Sequence, residues 1–189
     1  AKRGLGGLER LYWIPGSVGG AIKMNAGSFD QSISDTVIGM DVLTARGEII
    51  EKAVKFEDFG YRTSPVGRQE CVITGRFRLK AAGVEDLEEQ MEHVYRERKE
   101  RHPMEYPSAG SVFKAAKGRS AWWFVEKAGL RGYRIGDACV SEKHTNFIVN
   151  MGHARATDIA ALIRKVKEEV FSKLGVTLEE EVELWGFNG

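Results

Sequence analysis

Two short stretches of the chain hold side chains that can bind negative charge or move a proton. Arg62 lies in the sequence YRTS, and a guanidinium group can bind a carboxylate or a phosphate through two parallel hydrogen bonds. Ser111 lies in the sequence SAGSVFK, after a glycine and before two apolar residues. Each also has a plain structural interpretation, because most arginines are solvated at the surface and most loop serines form turns or caps.

A third stretch, LEEEVEL, carries carboxylates at Glu179, Glu180, Glu181 and Glu183. If this stretch forms a strand, Glu179, Glu181 and Glu183 share one face, because side chains alternate along a strand. A solvated acidic face is the ordinary explanation. The functional alternative is that one of these glutamates turns into a site.

A serine hydrolase is a poor interpretation of Ser111. The chain has no GxSxG sequence, and a nucleophilic serine needs a histidine base. Of the histidines at positions 93, 102, 144 and 153, only His144 lies in a suitable loop.

The stretch WIPGSVGGAIKMNAG, residues 13–27, contains four glycines, one proline and no acidic residue. Helices and strands avoid such a composition, so we expect a loop whose bare backbone is approached closely by another group. Successive backbone N–H groups can cradle an anion such as a diphosphate, and Ser17 and Asn25 add hydrogen-bonding side chains. A tight structural loop is the alternative. The stretch matches neither a Walker loop nor a Rossmann fingerprint.

The composition narrows the class of protein. The chain has 189 residues and a formal net charge of +1, and no basic stripe predicts nucleic-acid binding. No apolar run approaches the roughly 20 residues that cross a bilayer, and the first residues do not form a secretory signal. Cys71 and Cys139 do not have the spacing of metal ligands, and two cysteines do not favour a disulfide framework. We therefore expect no metal and a cytoplasmic location.

The elements that must position these residues form a two-part α+β chain. Two apolar runs around Ala45-Arg46-Gly47 predict a β-hairpin, and the β-branched sequence CVITGRFRLK predicts a further strand. Apolar residues at helical spacing predict a helix over residues 84–102, which Pro103 ends. We place a boundary near residues 103–106 and predict domains at residues 1–104 and 105–189.

The second part is predicted to begin with a loop and a short strand in the sequence PMEYPSAGSVFKAAKG, followed by two helices and two further strands. Ser120 is a candidate cap for a short helix ending before Gly129, anchored in the core by Trp122 or Trp123. Thr157 is a candidate cap for a long helix that Gly175 stops. The sequences TNFIVNMG and VTLEEEVELWG are predicted strands.

Five stretches occur in one order along the chain: IPGSVGGAIKMNAG, YRTS, PSAGSVFK, AGLRGYRIGDACVSEKHTNFIVN and GVTLEEEVELWG. In this order they resemble the UDP-N-acetylenolpyruvoylglucosamine reductase (UDP-N-acetylmuramate dehydrogenase) family, in its shorter type. The resemblance covers essentially the whole chain. It implies the C-terminal part of a vanillyl-alcohol-oxidase-like FAD-binding domain, followed by a small α+β substrate-binding domain.

The resemblance also implies the activity and the cofactor. FAD, reduced by NADPH as co-substrate, would reduce UDP-N-acetylglucosamine enolpyruvate to UDP-N-acetylmuramate in peptidoglycan biosynthesis. The partner would therefore be a UDP-sugar, with no nucleic acid and no membrane insertion. The implied flavin contacts are Ile14, Pro15, Gly16, Ser17, Gly19, Gly20, Asn25 and Gly27.

By motif match the resemblance assigns three catalytic residues. Arg62 would hold the substrate carboxylate, on which negative charge develops after hydride addition. Ser111 would donate a proton to the α-carbon, and Glu181, if protonated, would hydrogen-bond the developing charge. The implied substrate contacts are Tyr61, Lys114, Lys143 and His144.

The chain departs from the family pattern in several places. Lys114-Ala115-Ala116 stands where the family commonly has Lys-Asn-Pro, so an amide is lost at 115, and Glu180 stands where proline is frequent. Family members also carry an upstream glycine-rich segment with a Ser-Asn pair that grips the FAD diphosphate. We expect that segment to be lost or supplied by a separate chain. The alternatives are another FAD oxidoreductase of the same fold and a non-catalytic fragment without flavin.

Overall fold

The computed structural model describes residues 1–187, and its contacts divide the chain into two compact units, residues 1–98 and 99–189. Both units combine helices with strands, as the predicted α+β class requires. The domain boundary that we predict at residues 104–105 stays a prediction. None of the helices within the described residues combines the length and apolar character needed to span a bilayer.

The first unit contains seven strands and two helices. The strands are β1 (Leu5–Gly6), β2 (Gly27–Ser28), β3 (Gln31–Ser32), β4 (Val37–Leu43), β5 (Ile49–Ala53), β6 (Cys71–Phe77) and β7 (Lys80–Ala81). The helices are α1 (Val18–Lys23) and α2 (Val84–Arg101), the second of which crosses the division between the units. Short 3-10 turns occupy Glu9–Leu11, Ile33–Asp35 and Phe56–Asp58.

A three-stranded antiparallel sheet of order β5-β4-β6 is the main sheet of this unit, beside the two-stranded pairs β1-β7 and β2-β3. The hairpin predicted around residues 45–47 is confirmed as β4 and β5, in register from Gly39↔Ala53 to Leu43↔Ile49. The strand predicted from Cys71 is confirmed as β6. Met40 and Val42 of β4 are fully buried beside Ile22 of α1, and together they form the centre of this core.

Helix α1 corrects our expectation that residues 13–27 avoid regular structure. Six residues of the glycine-rich stretch form a helix, which begins after Ser17, whose Oγ accepts a hydrogen bond from the Gly20 amide. A Cβ at Gly19 would lie 3.3 Å from the Val72 carbonyl oxygen of β6. Glycine therefore lets the helix pack closely on the sheet, and this packing outweighs its poor helix propensity.

Helix α2 confirms the predicted helix within one residue of its predicted end. Leu87 and Val94, both on the predicted apolar stripe, are buried, whereas Met91 and Tyr95 are half-buried. Proline at position 103, which cannot donate a backbone hydrogen bond, follows shortly after the last helical residue.

The second unit contains an antiparallel sheet of order β8-β11-β10-β9. Its strands and helices are β8 (Ser108–Ser111), α3 (Ala121–Lys127), β9 (Arg134–Ile135), β10 (Ala138–Val140), β11 (Phe147–Asn150) and α4 (Ala156–Leu174). The side chains that α4 buries in the core of this unit are Leu162, Ile163, Val166 and Val170.

The helix ends and anchors in this unit require one correction. Gly175 ends α4 with φ 62°, as predicted, but the N-cap is Arg155, whose backbone N–H donates to the Asp158 carboxylate at 3.1 Å. Thr157 therefore lies inside the helix. Trp123 packs half-buried against the core as predicted, whereas Trp122 is 41% exposed, and the buried residues of α3 are Ala121, Phe124 and Val125.

The segment after Gly175 corrects a further prediction. Within the described residues up to 187 it forms no strand and has only an isolated bridge between Glu180 and Phe113. The buried side chains of Val176 and Leu178 hold it against the core, and Lys114 N–H donates to the Glu179 carbonyl oxygen at 2.9 Å. The glutamates therefore do not alternate on one strand face.

Glu169 gives α4 a dependence on pH. Hydrogen bonds from Lys165 and Lys173, at 2.8 and 2.9 Å, hold the pKa of Glu169 at about 2, below its ordinary value of 4.5. Because the folded-state pKa is lowered, the stabilisation is complete above the unfolded pKa and disappears as the pH falls toward about 2.

We therefore expect Glu169→Gln to lower the melting temperature at neutral pH and to have no effect near pH 2. Thermal unfolding followed by circular dichroism across this range measures the difference. Glu168→Gln, a change at the exposed neighbour, is the control and should leave the acid limb of the stability curve unchanged. A difference for Glu169→Gln that is independent of pH would contradict the explanation.

Candidate functional site

The exposed backbone of residues 15–18 is the first part of the candidate site. Gly16 adopts φ 139°, which favours glycine, and no atom lies within 4 Å of the position that a Cβ would occupy. Pro15, Ser17 and Gly20 are exposed, Ile14 and Gly19 are half-buried, and the side chain of Val18 is 59% exposed. A flat group can therefore approach this backbone from outside the unit, which fits the flavin that the sequence implies.

Ser17 and Gly20 form a hydrogen bond with each other, which uses part of their hydrogen-bonding capacity. The Ser17 Oγ accepts from the Gly20 N–H at 3.1 Å, so this amide already has an acceptor inside the protein. A serine hydroxyl both accepts and donates. Any hydrogen bond from Ser17 to a ligand would therefore come from its own O–H.

Asn25 lies at the inner end of the glycine-rich stretch and is 9% exposed. Its Nδ2 donates to the Gly60 carbonyl oxygen at 2.9 Å, and its Oδ1 accepts from the Ser34 N–H at 3.3 Å. Both ends of the amide are thus bonded inside the unit. The side chain links the stretch to the turn that begins at Gly60.

That turn carries Arg62. Gly60 and Thr63 exchange backbone hydrogen bonds of 3.1 and 3.2 Å, and Arg62 between them adopts φ 55°. The guanidinium carbon lies 4.9 Å from the centre of the Tyr61 ring, which is 62% exposed. A Cβ at Gly27 would lie 3.5 Å from Arg62 Nη1. The structure therefore brings Arg62 and Tyr61 together with the end of the glycine-rich stretch.

Lys23, which the sequence analysis missed, fixes the loop after Arg62. Its Nζ donates to the carbonyl oxygens of Gly67 and Arg68 at 3.3 and 3.1 Å, and its own carbonyl oxygen accepts from Ser64 Oγ at 2.8 Å. The last turn of α1 thus holds the loop 64–68. A lysine in this place gives no sequence signal, because its partners are carbonyl groups more than forty residues away.

Arg98 of α2 was also missed. It is 5% exposed, its Nη2 donates to Ser28 Oγ at 3.0 Å, and its guanidinium carbon lies 5.4 Å from the centre of the Phe29 ring. Burial lowers the pKa of Arg98. This cation supports the turn that follows Gly27.

In the second unit Ser111 and Glu181 lie on two backbone segments that are hydrogen-bonded to each other. Ser111 is the last residue of β8, pairs with Phe147 of β11 and is half-buried. The next residue, Val112, accepts the Glu181 N–H on its carbonyl oxygen at 2.8 Å. Arg62 belongs to the first unit, whereas Ser111 and Glu181 belong to the second.

Asn146 lies in the predicted strand TNFIVNMG, and no role for its side chain was predicted from the sequence. It is 4% exposed, and its Oδ1 accepts from the Phe113 N–H at 3.0 Å while its Nδ2 donates to the Phe113 carbonyl oxygen at 2.9 Å. The only sequence signal is a polar residue before an apolar run. That signal does not identify the partner, which lies 33 positions away.

The implied substrate contacts of this unit are engaged with the protein. Lys114 forms an ion pair with Glu179, and Lys143 Nζ donates to the Lys99 carbonyl oxygen at 2.7 Å. The His144 ring is half-buried and lies 4.9 Å from the Phe147 ring, and burial lowers the pKa of His144. Ala115 is exposed.

Two family models match the chain. The model described as "UDP-N-acetylenolpyruvoylglucosamine reductase, C-terminal domain" matches residues 102–185, and the model described as "FAD binding domain" matches residues 1–52. The second match includes the glycine-rich stretch, and the first includes Ser111 and Glu181.

Curated relatives and a solved structure agree with these matches. Proteins named UDP-N-acetylenolpyruvoylglucosamine reductase are 45% identical in Agathobacter rectalis and 43% identical in Pediococcus pentosaceus, each over 98% of this chain and over 60% and 62% of their own length. The crystal structure of the reductase of that name from Thermus caldophilus superposes with a TM-score of 0.81 and 39% identity, covering 97% of this chain and 66% of that one. The chain thus spans about three fifths of the length of its curated relatives.

Proposed function

The chain belongs to the UDP-N-acetylenolpyruvoylglucosamine reductase family, and from this we propose that it serves the FAD-dependent reduction of UDP-N-acetylglucosamine enolpyruvate to UDP-N-acetylmuramate. NADPH is the proposed source of reducing equivalents. The proposed setting is peptidoglycan synthesis in the bacterial cytoplasm.

One observation carries the proposal. The Arg62 guanidinium lies against Gly27, at the end of a stretch that the FAD-binding family model matches. Reduction of an enolpyruvyl ether needs a cation for the substrate carboxylate close to the group that supplies hydride. The position of Arg62 Nη1, 3.5 Å from where a Cβ on Gly27 would lie, supports such a pairing within one unit.

The proposed flavin contacts are the eight residues between Ile14 and Gly27 that the sequence analysis names. These residues would hold FAD, which would supply the hydride for the methylene carbon of the enolpyruvyl group. The residues of the chain must then stabilise the charge that passes through the α-carbon onto the carboxylate. Arg62 does so by two parallel hydrogen bonds to the carboxylate oxygens.

The α-carbon then needs a proton. A carbanion-like centre is basic enough to take this proton from a hydroxyl group, and Ser111 is the proposed donor. The bond from the Glu181 N–H to the carbonyl oxygen of Val112, the neighbour of Ser111, supports a common site for the two residues. In its protonated form Glu181 would hydrogen-bond the developing enediolate. The new C–H bonds at both carbons complete the lactyl ether.

Flavin binding tests the first requirement of the proposal. We expect FAD fluorescence to change saturably when the chain is added, and NADPH to bleach the bound flavin. We expect Gly16→Val to weaken FAD binding at least about tenfold, because a branched side chain would fill the open backbone at Gly16.

Gly47→Val is the matched control for this experiment. Gly47 also has a positive φ, 81°, and also has no atom within 4 Å of its Cβ position, but it lies in the β4–β5 hairpin turn. Its variant should bind FAD as the natural chain does. Absent FAD binding, or equal loss in both variants, would count against the assigned site. Under anaerobic conditions, reoxidation of the reduced flavin by another organic acceptor but not by the enolpyruvate would favour another FAD oxidoreductase of this fold.

A further inference from the structure

We propose that Asn146 is a positioning residue. Its side chain takes the place of a strand partner for Phe113 and so holds residues 112–114, the segment that follows Ser111 and bonds to Glu181. The proposal rests on the roles of Ser111 and Glu181 in the proposed function. It adds a residue that touches neither the substrate nor the cofactor.

The contacts of Asn146 replace a rung of a β-ladder. At Ser111 the strand β8 still pairs with Phe147 of β11 in the ordinary antiparallel manner. One residue further, the Val112 N–H donates to the Asn146 carbonyl oxygen at 2.8 Å. At Phe113 the backbone of β11 is no longer opposite, and the Asn146 side chain accepts from the N–H and donates to the carbonyl oxygen instead.

Only a carboxamide of this length can make both bonds. Its oxygen and nitrogen reproduce the acceptor and the donor of a peptide group. An aspartate at 146 would lose the donor and place a carboxylate oxygen against the Phe113 carbonyl oxygen. Because Asn146 and Phe113 are 4% and 2% exposed, water cannot take over either bond without opening the core.

The same segment binds the stretch that carries Glu181. The carbonyl oxygen of Val112 accepts the Glu181 N–H at 2.8 Å, and the Lys114 N–H donates to the Glu179 carbonyl oxygen at 2.9 Å. One edge of residues 112–114 is therefore held by Asn146, and the other edge holds residues 179–181. A shift of this segment would move Ser111 and Glu181 together.

The experiment compares Asn146→Asp and Asn146→Ala with Asn150→Ala in the FAD-loaded protein. Asn150 is the last residue of β11, which begins directly after Asn146, and its Oδ1 accepts two backbone hydrogen bonds of 2.9 Å, from Gly152 and Ala154. Asn150→Ala therefore also removes an asparagine side chain that bonds to the backbone. Both Asn146 variants should slow flavin reoxidation by UDP-N-acetylglucosamine enolpyruvate about 10- to 100-fold, because a misplacement of about 1 Å has effects of this size. Reduction of the flavin by NADPH should change less than about twofold.

Amide hydrogen exchange gives a readout that is independent of activity. In Asn146→Ala the N–H groups of Phe113 and Glu181 should exchange at least about tenfold faster, since the first loses its acceptor and the second depends on the segment that Asn146 holds. Asn146→Asp retains an acceptor for the Phe113 N–H and serves if Asn146→Ala does not fold. Asn150→Ala should leave both amides unchanged.

The outcomes separate this proposal from the proposed function. The positioning role would be overturned if the Asn146 variants showed fast amide exchange but unchanged flavin reoxidation. It would also be overturned if Asn150→Ala slowed reoxidation to the same degree as the Asn146 variants. Equal slowing of both half-reactions in the Asn146 variants would also overturn it, because it would indicate a general loss of structure. If Ser111→Ala leaves reoxidation unchanged, the proposed function of Ser111 fails, whatever the Asn146 variants do.

Discussion

Ser111→Ala is expected to slow the reoxidation of reduced flavin by UDP-N-acetylglucosamine enolpyruvate roughly 10²- to 10⁴-fold, the usual range for loss of a general acid. The reduction of flavin by NADPH involves no proton from Ser111 and should stay within about twofold of the natural rate. Rapid mixing under anaerobic conditions, with flavin absorbance as the signal, measures the two half-reactions separately. The physical reason is that the carbanion-like α-carbon has no other proton donor in the proposed mechanism.

Ser120→Ala is the matched control for this substitution. Ser120 is an exposed serine at the N-cap of α3, and its side chain makes no capping hydrogen bond. The Ser120 variant should retain both half-reactions. An equal loss of both half-reactions in Ser111→Ala would contradict the proton-donor role and would indicate instead that the serine supports the strand β8.

The second large effect is expected from Arg62→Lys, which should lower kcat/KM for the enolpyruvate substrate roughly 10²- to 10³-fold. A lysine keeps the positive charge but cannot present two parallel donors to a carboxylate, and it is a compact cation that lacks the flat guanidinium now lying over Tyr61. The strained backbone at φ 55° is common to both residues, so the substitution changes the side chain alone. Steady-state kinetics with varied substrate measure the loss.

Arg68→Lys provides the control, because Arg68 is exposed and lies in the loop that Lys23 holds six residues after Arg62. It should change kcat/KM less than about twofold. Thermal unfolding of both variants separates a loss of stability from a loss of substrate binding. Near-normal turnover in Arg62→Lys, with unchanged unfolding, would remove Arg62 from the mechanism.

Much of the fold was predictable because its helices and strands follow from local sequence patterns. The hairpin of β4 and β5, the strand β6 and the two long helices α2 and α4 each follow from apolar periodicity and a turn or stop residue. Helix α1 was not predictable in this way, because two glycines argue against a helix in isolation. The close packing of Gly19 on Val72 supplies the stabilisation that the local sequence lacks.

The segment after Gly175 is the opposite case, because a strand was predicted there and the described residues do not form one. Apolar and polar side chains alternate in residues 176–186 well enough to predict a strand. A strand also needs a neighbouring backbone that offers N–H and C=O groups along its whole length. Here residues 112–114 supply only a few bonds, and the buried Val176 and Leu178 hold the rest of the segment. Glu180, which the predicted strand would place on the face opposite the other three glutamates, pairs with Lys167 of α4 at 2.7 Å.

By itself the sequence determined the family, the order of its motifs and the candidate residues Arg62, Ser111 and Glu181, because residue types and short spacings are local properties. Only the tertiary structure decided how two asparagines are used. Asn25 and Asn146 bond to Gly60 and Phe113, which lie 35 and 33 positions away along the chain. Such pairings depend on which backbone groups remain without a partner after the helices and strands have packed, and no local pattern records that.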